Sequence, residues 1–312
     1  MHAKIKILII LVASVLLMPV NSLDAASPER YKPFVLAASN ADKEFSVVVT
    51  ETRNALKDAG FTVLGEYAPY ADSFVKNAQV IVVTNPELKS IAKASYNGGF
   101  AAPWRIAVTE TDEAVQVSYV NPEYLKHAYR LQGDVQKVSQ SFEKTLGVKE
   151  HFGSKKGLSA RKLKRYNYTI GMEKFHNVYL LAEHESHAKA LETLEANLAN
   201  NQHGLGKVYR LDLDDEVSVF GISRQGPDEK YRFMDDTFIM QTVDFKQHKG
   251  TAYLPYEIMV KGNQILALHM RFRMAVHYPD LSMMGKHSFM TLRPSPREIG
   301  WGFGEIAKAV KD

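Results

Sequence analysis

Two short stretches limit the folds open to this chain more than any other feature. Residues 102–108 (APWRIAV) and 254–260 (LPYEIMV) carry proline, an aromatic, isoleucine and valine at identical offsets. Each is followed by a second strand-like run and then by a proline–acid pair expected to open a helix, Pro122-Glu123 and Pro279-Asp280. Such an echo at long period is the signature of internal duplication. Two related units are therefore expected rather than one continuous architecture.

The local patterns fill in each unit. In the first, Glu44–Val49 reads as a strand, Thr50 as the N-cap of a helix over Glu51–Ala59, and Gly60 as its stop. Phe61–Tyr67 and Ala78–Thr84 read as strands, and Asn85-Pro86 turns the chain into a short helix. Trp104–Glu110 and Ala114–Val120 form a hairpin, and Pro122 opens a helix to Leu146. In the second, Val178–Ala182 is a strand, Ser186 caps a helix with Leu191, Leu194 and Leu198 on one face, and Val208–Leu213 and Val217–Ile222 are strands. Strands interleaved with helices, with a hairpin in each half, predict an α+β fold. It comprises two related units, each a small mixed or antiparallel sheet packed with helices. Gly98-Gly99 and the glycines of 300–304 (GWGFG) lack the strand–turn–helix context of a nucleotide loop and are expected in loops.

The N-terminus reads as an address. Lys4 and Lys6 precede an uncharged apolar run over residues 7–18, which Pro19 closes. The run is short for a membrane span, which needs about 20 residues. Cleavage after Ser22 or Ala25 is expected, leaving an exported, periplasmic or secreted chain; no nucleic-acid partner is expected there. Among 312 residues there is no cysteine, which removes disulfides, thiolate metal sites and thiol nucleophiles together. Residues 149–165 hold seven basic residues and one acid. Such a block is expected as an exposed linker, with weak contact to a membrane surface as its sharper alternative.

The first half resembles the DUF302 family, a small α+β domain of uncharacterised function. The resemblance rests on Gly60–Val63, on Val80–Leu88 with Asn85-Pro86 at its centre, on Pro103–Val108, and on Val117–Tyr119 leading into Asn121-Pro122. Thr84 stands where the family usually has glycine. Leu254–Tyr256 and Phe272–Ala275 mark a more distant likeness in the second half. The resemblance implies a fold and no reaction. The expected organisation is a signal peptide over 1–25, a DUF302-like domain over 26–147, a basic linker over 148–170 and a divergent second DUF302-like domain over 171–312.

Chemistry-bearing residues concentrate in Leu268–Met290. Read as a strand, this segment puts Met270, Phe272 and Met274 on a core face and His269, Arg271, Arg273 and His277 on the other. Two arginines among histidines would form an anion site, with Asn85 as a further candidate in the first unit. His277, Met283 and His287 form a candidate metal set, because thioether with imidazole suits copper or haem iron. His184-Glu185-Ser186-His187 has the wrong spacing for a zinc helix, and no serine sits in a nucleophile elbow. The sequence thus predicts a non-catalytic exported protein that binds a small anionic ligand or a protein partner through its duplicated scaffold. No cofactor is expected on that reading, and a copper- or haem-binding protein is the alternative.

Overall fold

The computed structural model describes residues 29–70, 74–226 and 228–309. The apolar run and cleavage positions expected near the N-terminus lie outside them. The first unit runs β1 (Arg30–Tyr31), β2 (Phe34–Asn40), α1 (Phe45–Asp58), β3 (Thr62–Tyr67), β4 (Asn77–Thr84) and α2 (Pro86–Ala94). It continues through β5 (Trp104–Glu110), β6 (Val115–Val120), α3 (Pro122–Ala128) and α4 (Gln136–Leu146). Its strands lie in the spatial order β3-β4-β5-β6-β2, every neighbour antiparallel.

Residues 148–170, expected as a linker, are built into this unit instead. β7 (Glu150–Phe152) extends the sheet beyond β2, β8 (Leu158–Ser159) pairs with β1, and α5 (Ala160–Lys164) packs on α3. Phe152, Leu158 and Leu163 are buried and anchor the segment, while the Lys155 amide donates to Asp280 at 2.5 Å. Its basic side chains face solvent, so the charge block is a surface laid over an ordered underside.

The second unit runs β9 (Val178–Glu183), α6 (His187–Ala199), β10 (Leu205–Asp214), β11 (Val217–Arg224), α7 (Asp236–Val243), β12 (Tyr256–Lys261), β13 (Gln264–Leu268), α8 (Met270–His277) and α9 (Ser295–Ala307). Its antiparallel order, β10-β11-β12-β13-β9, reproduces the first strand for strand. The protein is an α+β fold of antiparallel sheets packed with helices. The seven-residue echo marks β5 and β12. Trp104 Nε1 donates to the Val120 carbonyl at 2.8 Å at the far end of β6, and the Tyr256 hydroxyl donates to Leu268 at the far end of β13.

The units meet reciprocally. The one-turn helix Gly98–Ala101, which precedes β5, lies on β11 and β12; its counterpart Thr251–Tyr253, which precedes β12, lies on β5 and β6. Mutual contact of equivalent segments is how a two-fold interface is built. Where the edges β3 and β10 come together, Gly65 admits no side chain, since a Cβ there would sit 2.3 Å from the Val208 carbonyl oxygen. A single cluster of buried apolar residues runs through both units.

Several sequence expectations are corrected. The Val47–Val49 run is helical: Val48, Val49, Thr52 and Leu56 point inward from α1 while Val47 and Thr50 face out. That is the 3.6-residue period of a half-buried helix, and the strand that joins the main sheet ahead of it is the earlier run at Phe34. The helix expected from Pro122 to Leu146 is two, broken where Arg130 and Gly133 adopt positive φ. Leu268 ends its strand opposite Val178, the first residue of β9; His269 then caps α8. Met270 is therefore the counterpart of Pro122, and Pro279-Asp280 follows the helix rather than opening one. Gly300, Gly302 and Gly304 lie inside α9, where the first two allow close approach to the Tyr179 ring and the Met234 sulfur.

Candidate functional site

Two polar sites lie where the units meet. The first is a buried charge network. β5 brings Arg105 and β12 brings Glu257, residues at the same offset in the two echoed stretches, and they pair with each other across the interface. Glu257 accepts a second guanidinium, Arg273 from α8, at 3.0–3.1 Å. Arg273 also donates to the carbonyls of Tyr253 and Pro255, each at 2.6 Å, and stacks on the rings of Tyr253 and Tyr256. Arg105 donates to the Ala252 carbonyl at 3.0 Å. All three charged side chains are about 1% exposed or less.

His277 completes this network. Its Nδ1 donates to the Arg273 carbonyl at 2.8 Å, and its Nε2 accepts from Arg105 at 3.4 Å. Burial, and then the Arg105 and Arg273 guanidiniums, hold the imidazole well below its ordinary pKa, so it stays neutral. Close by, Arg224 and Asp236 form a second buried pair at 2.8 Å. Burial pushes the Asp236 carboxyl up to about 6 even against Arg224.

The second site is a cavity of about 150 Å³ at the seam. Phe34 and Phe152 wall it from the first unit, and Phe245, Tyr278 and Leu281 from the second, with Asp244 in the lining. Asp244 follows α7; its Oδ1 accepts from the Gly250 amide at 2.8 Å, while its buried Oδ2 has no partner among the described residues. Burial pushes this carboxyl up to about 7, against the Gly250 amide and Lys249. His248 also lines the cavity, its Nε2 facing Glu150 at 3.1 Å and its Nδ1 without a partner among the described residues.

The architecture up to the end of α4 has a counterpart among known domains. Residues 37–147 match the family model described as "Domain of unknown function DUF302". The first unit contains a DUF302 domain over these residues. No curated protein matches the chain. The matched span ends before β7, so Phe34 and Phe152, which close the cavity, lie on either side of the DUF302 core, whereas Arg105 lies within it.

The residues singled out in the sequence are scattered by this fold. Asn85 of the DUF302 domain caps α2, its side chain accepting from the Leu88 amide at 2.9 Å. His269 and Arg271 both pair with Glu173, at 3.4 and 3.2 Å, near the surface. Arg273 is turned the other way, into the core. The expected shared face was a consequence of reading a strand: on a helix, Arg273 and His277 share a face and Arg271 lies opposite. Three of the four expected anion-binding residues, His269, Arg271 and Arg273, are thus paired with carboxylates of Glu173 and Glu257, and the fourth, Asn85, is used as a helix cap. His277 has both nitrogens engaged, His287 bonds the Thr242 carbonyl at 3.1 Å and stacks on Phe245, and Met283 is exposed. Among the described residues, no group of three or more histidine, aspartate or glutamate side chains is placed to hold a metal ion. Asp244 and Glu257 carried no motif. The only signal for Glu257 was its alignment with Arg105 in the echo.

Proposed function

We propose that this chain is a non-catalytic binding protein whose seam cavity takes a small, largely apolar ligand bearing a protonated amine. The observation that carries this reading is Asp244: a buried carboxylate oxygen without a partner among the described residues, in a cavity walled mostly by aromatic and aliphatic side chains, with Lys246, Gln247, His248 and Asp280 also in its lining. Burying an acceptor in that way is costly unless a donor arrives. A cavity of about 150 Å³ admits one six-membered ring, as engineered cavities of that size do. The expected ligand charge changes sign from anionic to cationic, because His269, Arg271 and Arg273 already face carboxylates away from the cavity, while one oxygen of Asp244 at the cavity has no partner among the described residues.

In this reading the second unit is a divergent copy of the DUF302 domain, supported by the shared strand order and the paired roles of Trp104 and Tyr256. Binding at the seam then uses both copies, as small-molecule sites at domain interfaces commonly do. Export is part of the proposal, resting on the basic start and apolar run of residues 1–18, and N-terminal sequencing of periplasmic protein tests it. The binding test is calorimetry with benzylamine, benzyl alcohol and benzoate. The amine should bind best, and Asp244→Asn should weaken it about tenfold or more while leaving the alcohol nearly unaffected. Equal binding of all three, or of none, rejects the proposal.

A further inference from the structure

The buried junction holds more cation than anion. Arg105 and Arg273 share the single carboxylate of Glu257, and the neighbouring carboxylate, Asp236, is committed to Arg224. His277 is neutral, and the surrounding tyrosines keep their protons because burial raises Tyr67, Tyr209 and Tyr256 well above the usual phenol range and Tyr129 to about 12. One positive charge is therefore uncompensated where Arg105, Arg273 and Arg224 are all cut off from solvent. An unpaired buried charge is strongly unfavourable.

The same junction has donors to spare. Arg273 Nη1 and the hydroxyls of Tyr129, Tyr209 and Tyr253 are buried without a partner among the described residues. Tyr209, Gly221 and Glu257 lie in register across β10, β11 and β12. Because Gly221 has no side chain, the Tyr209 ring lies over it, within 2.1 Å of where a Cβ would stand, and extends toward Glu257. The Tyr253 ring stacks under Arg273 at 4.2 Å, and Tyr129, at the end of α3, feels Arg105 and Arg273 ahead of every other charged group. Donors thus arrive from both units, and none of these four has an acceptor within hydrogen-bond distance among the described residues.

We propose that the junction binds one small monovalent anion of halide size, held by Arg273 Nη1 with the Tyr129, Tyr209 and Tyr253 hydroxyls and sealed in when the two units close. Water would satisfy the donors but leave the charge, and a divalent oxyanion would reverse it. An ion bound to the folded state alone stabilises that state by mass action.

The test has two arms on the full-length mature protein. Thermal unfolding is followed after refolding in chloride, bromide or gluconate at one ionic strength. Chloride and bromide should raise the Tm saturably and the bulky gluconate should not. Tyr209→Phe should raise the half-saturating chloride concentration about tenfold. Arg273→Met, which balances the charge, should make Tm independent of the anion. Should that variant not fold, crystals of the unaltered protein grown in bromide decide: a single anomalous peak beside Arg273 Nη1 supports the site. No bromide there, with the same Tm in all three salts, overturns it.

Discussion

At the residue scale the interface turns on Glu257. It is the carboxylate shared by two guanidiniums that are fully enclosed, so its charge and its geometry are both needed. Glu257→Gln keeps the shape and removes the charge, leaving two buried cations unpaired; a loss of about 3–5 kcal/mol in unfolding free energy is expected by urea denaturation. Asp244 predicts the opposite kind of effect. Its carboxyl is raised to about 7 in the fold against an ordinary value of 3.8, so the native state holds more protons than the unfolded chain across that window. Its stabilising contribution is complete below the unfolded value and is lost as pH rises through the folded one. Asp244→Asn should therefore match the parent protein near pH 4 and exceed it at pH 8 by on the order of 2–3 kcal/mol. His277 titrates with the reverse sign but cancels in the difference between the two proteins. Neither carboxylate was legible in the sequence as special, since what distinguishes each is which groups surround it.

At the element scale, the strands that alternate or run apolar to their ends were read from sequence within a residue or two: β4, β5, β6, β9 and β11. The errors fell where two periods fit one run. Val47–Val49 suits a strand by composition and a helix by spacing, and the buried face of α1 decides for the helix. Leu268–His277 fits an alternating strand and also a helix with Arg273 and His277 on one face. The decision there came from outside the segment, since β9 begins opposite Leu268 and leaves no partner for a longer strand. Tyr124 and Tyr166 then reach in from the first half to bond the Val276 and Ala275 carbonyls at 2.6 and 2.7 Å, satisfying the otherwise open end of α8. Glycines offer a contrast that can be measured. Gly65→Ala forces a Cβ into the Val208 backbone and should cost more than about 2 kcal/mol, visible as a lower Tm. Gly304→Ala, in α9 with open space beside it, should raise stability by about 0.5–1 kcal/mol.

At the scale of the whole molecule, the two units form one folding body. Their reciprocal contacts, the Arg105–Glu257 pair and the 3.0 Å bond between Thr109 and Thr251 hydroxyls are all buried between them. Residues 29–147 expressed alone should therefore fail to give a folded monomer, by circular dichroism and size-exclusion chromatography, because Arg105 loses its carboxylate and the face of β5 and β6 loses its cover. A well-dispersed, monomeric fragment would contradict the interdependence. By itself the sequence determined the α+β class, the presence of a DUF302 domain and the positions of β5 and β12. The fold class and the two strands follow from periodicity and spacing within a few residues of chain, and the DUF302 domain from the resemblance its short motifs carry. Only the tertiary structure decided that the basic block is part of the first unit, that the expected anion-binding residues are already paired, and that Asp244 and Glu257 face a cavity and a charge junction. Those are properties of residues far apart in the chain, and no local pattern encodes which distant group will neutralise, shield or strand a buried charge.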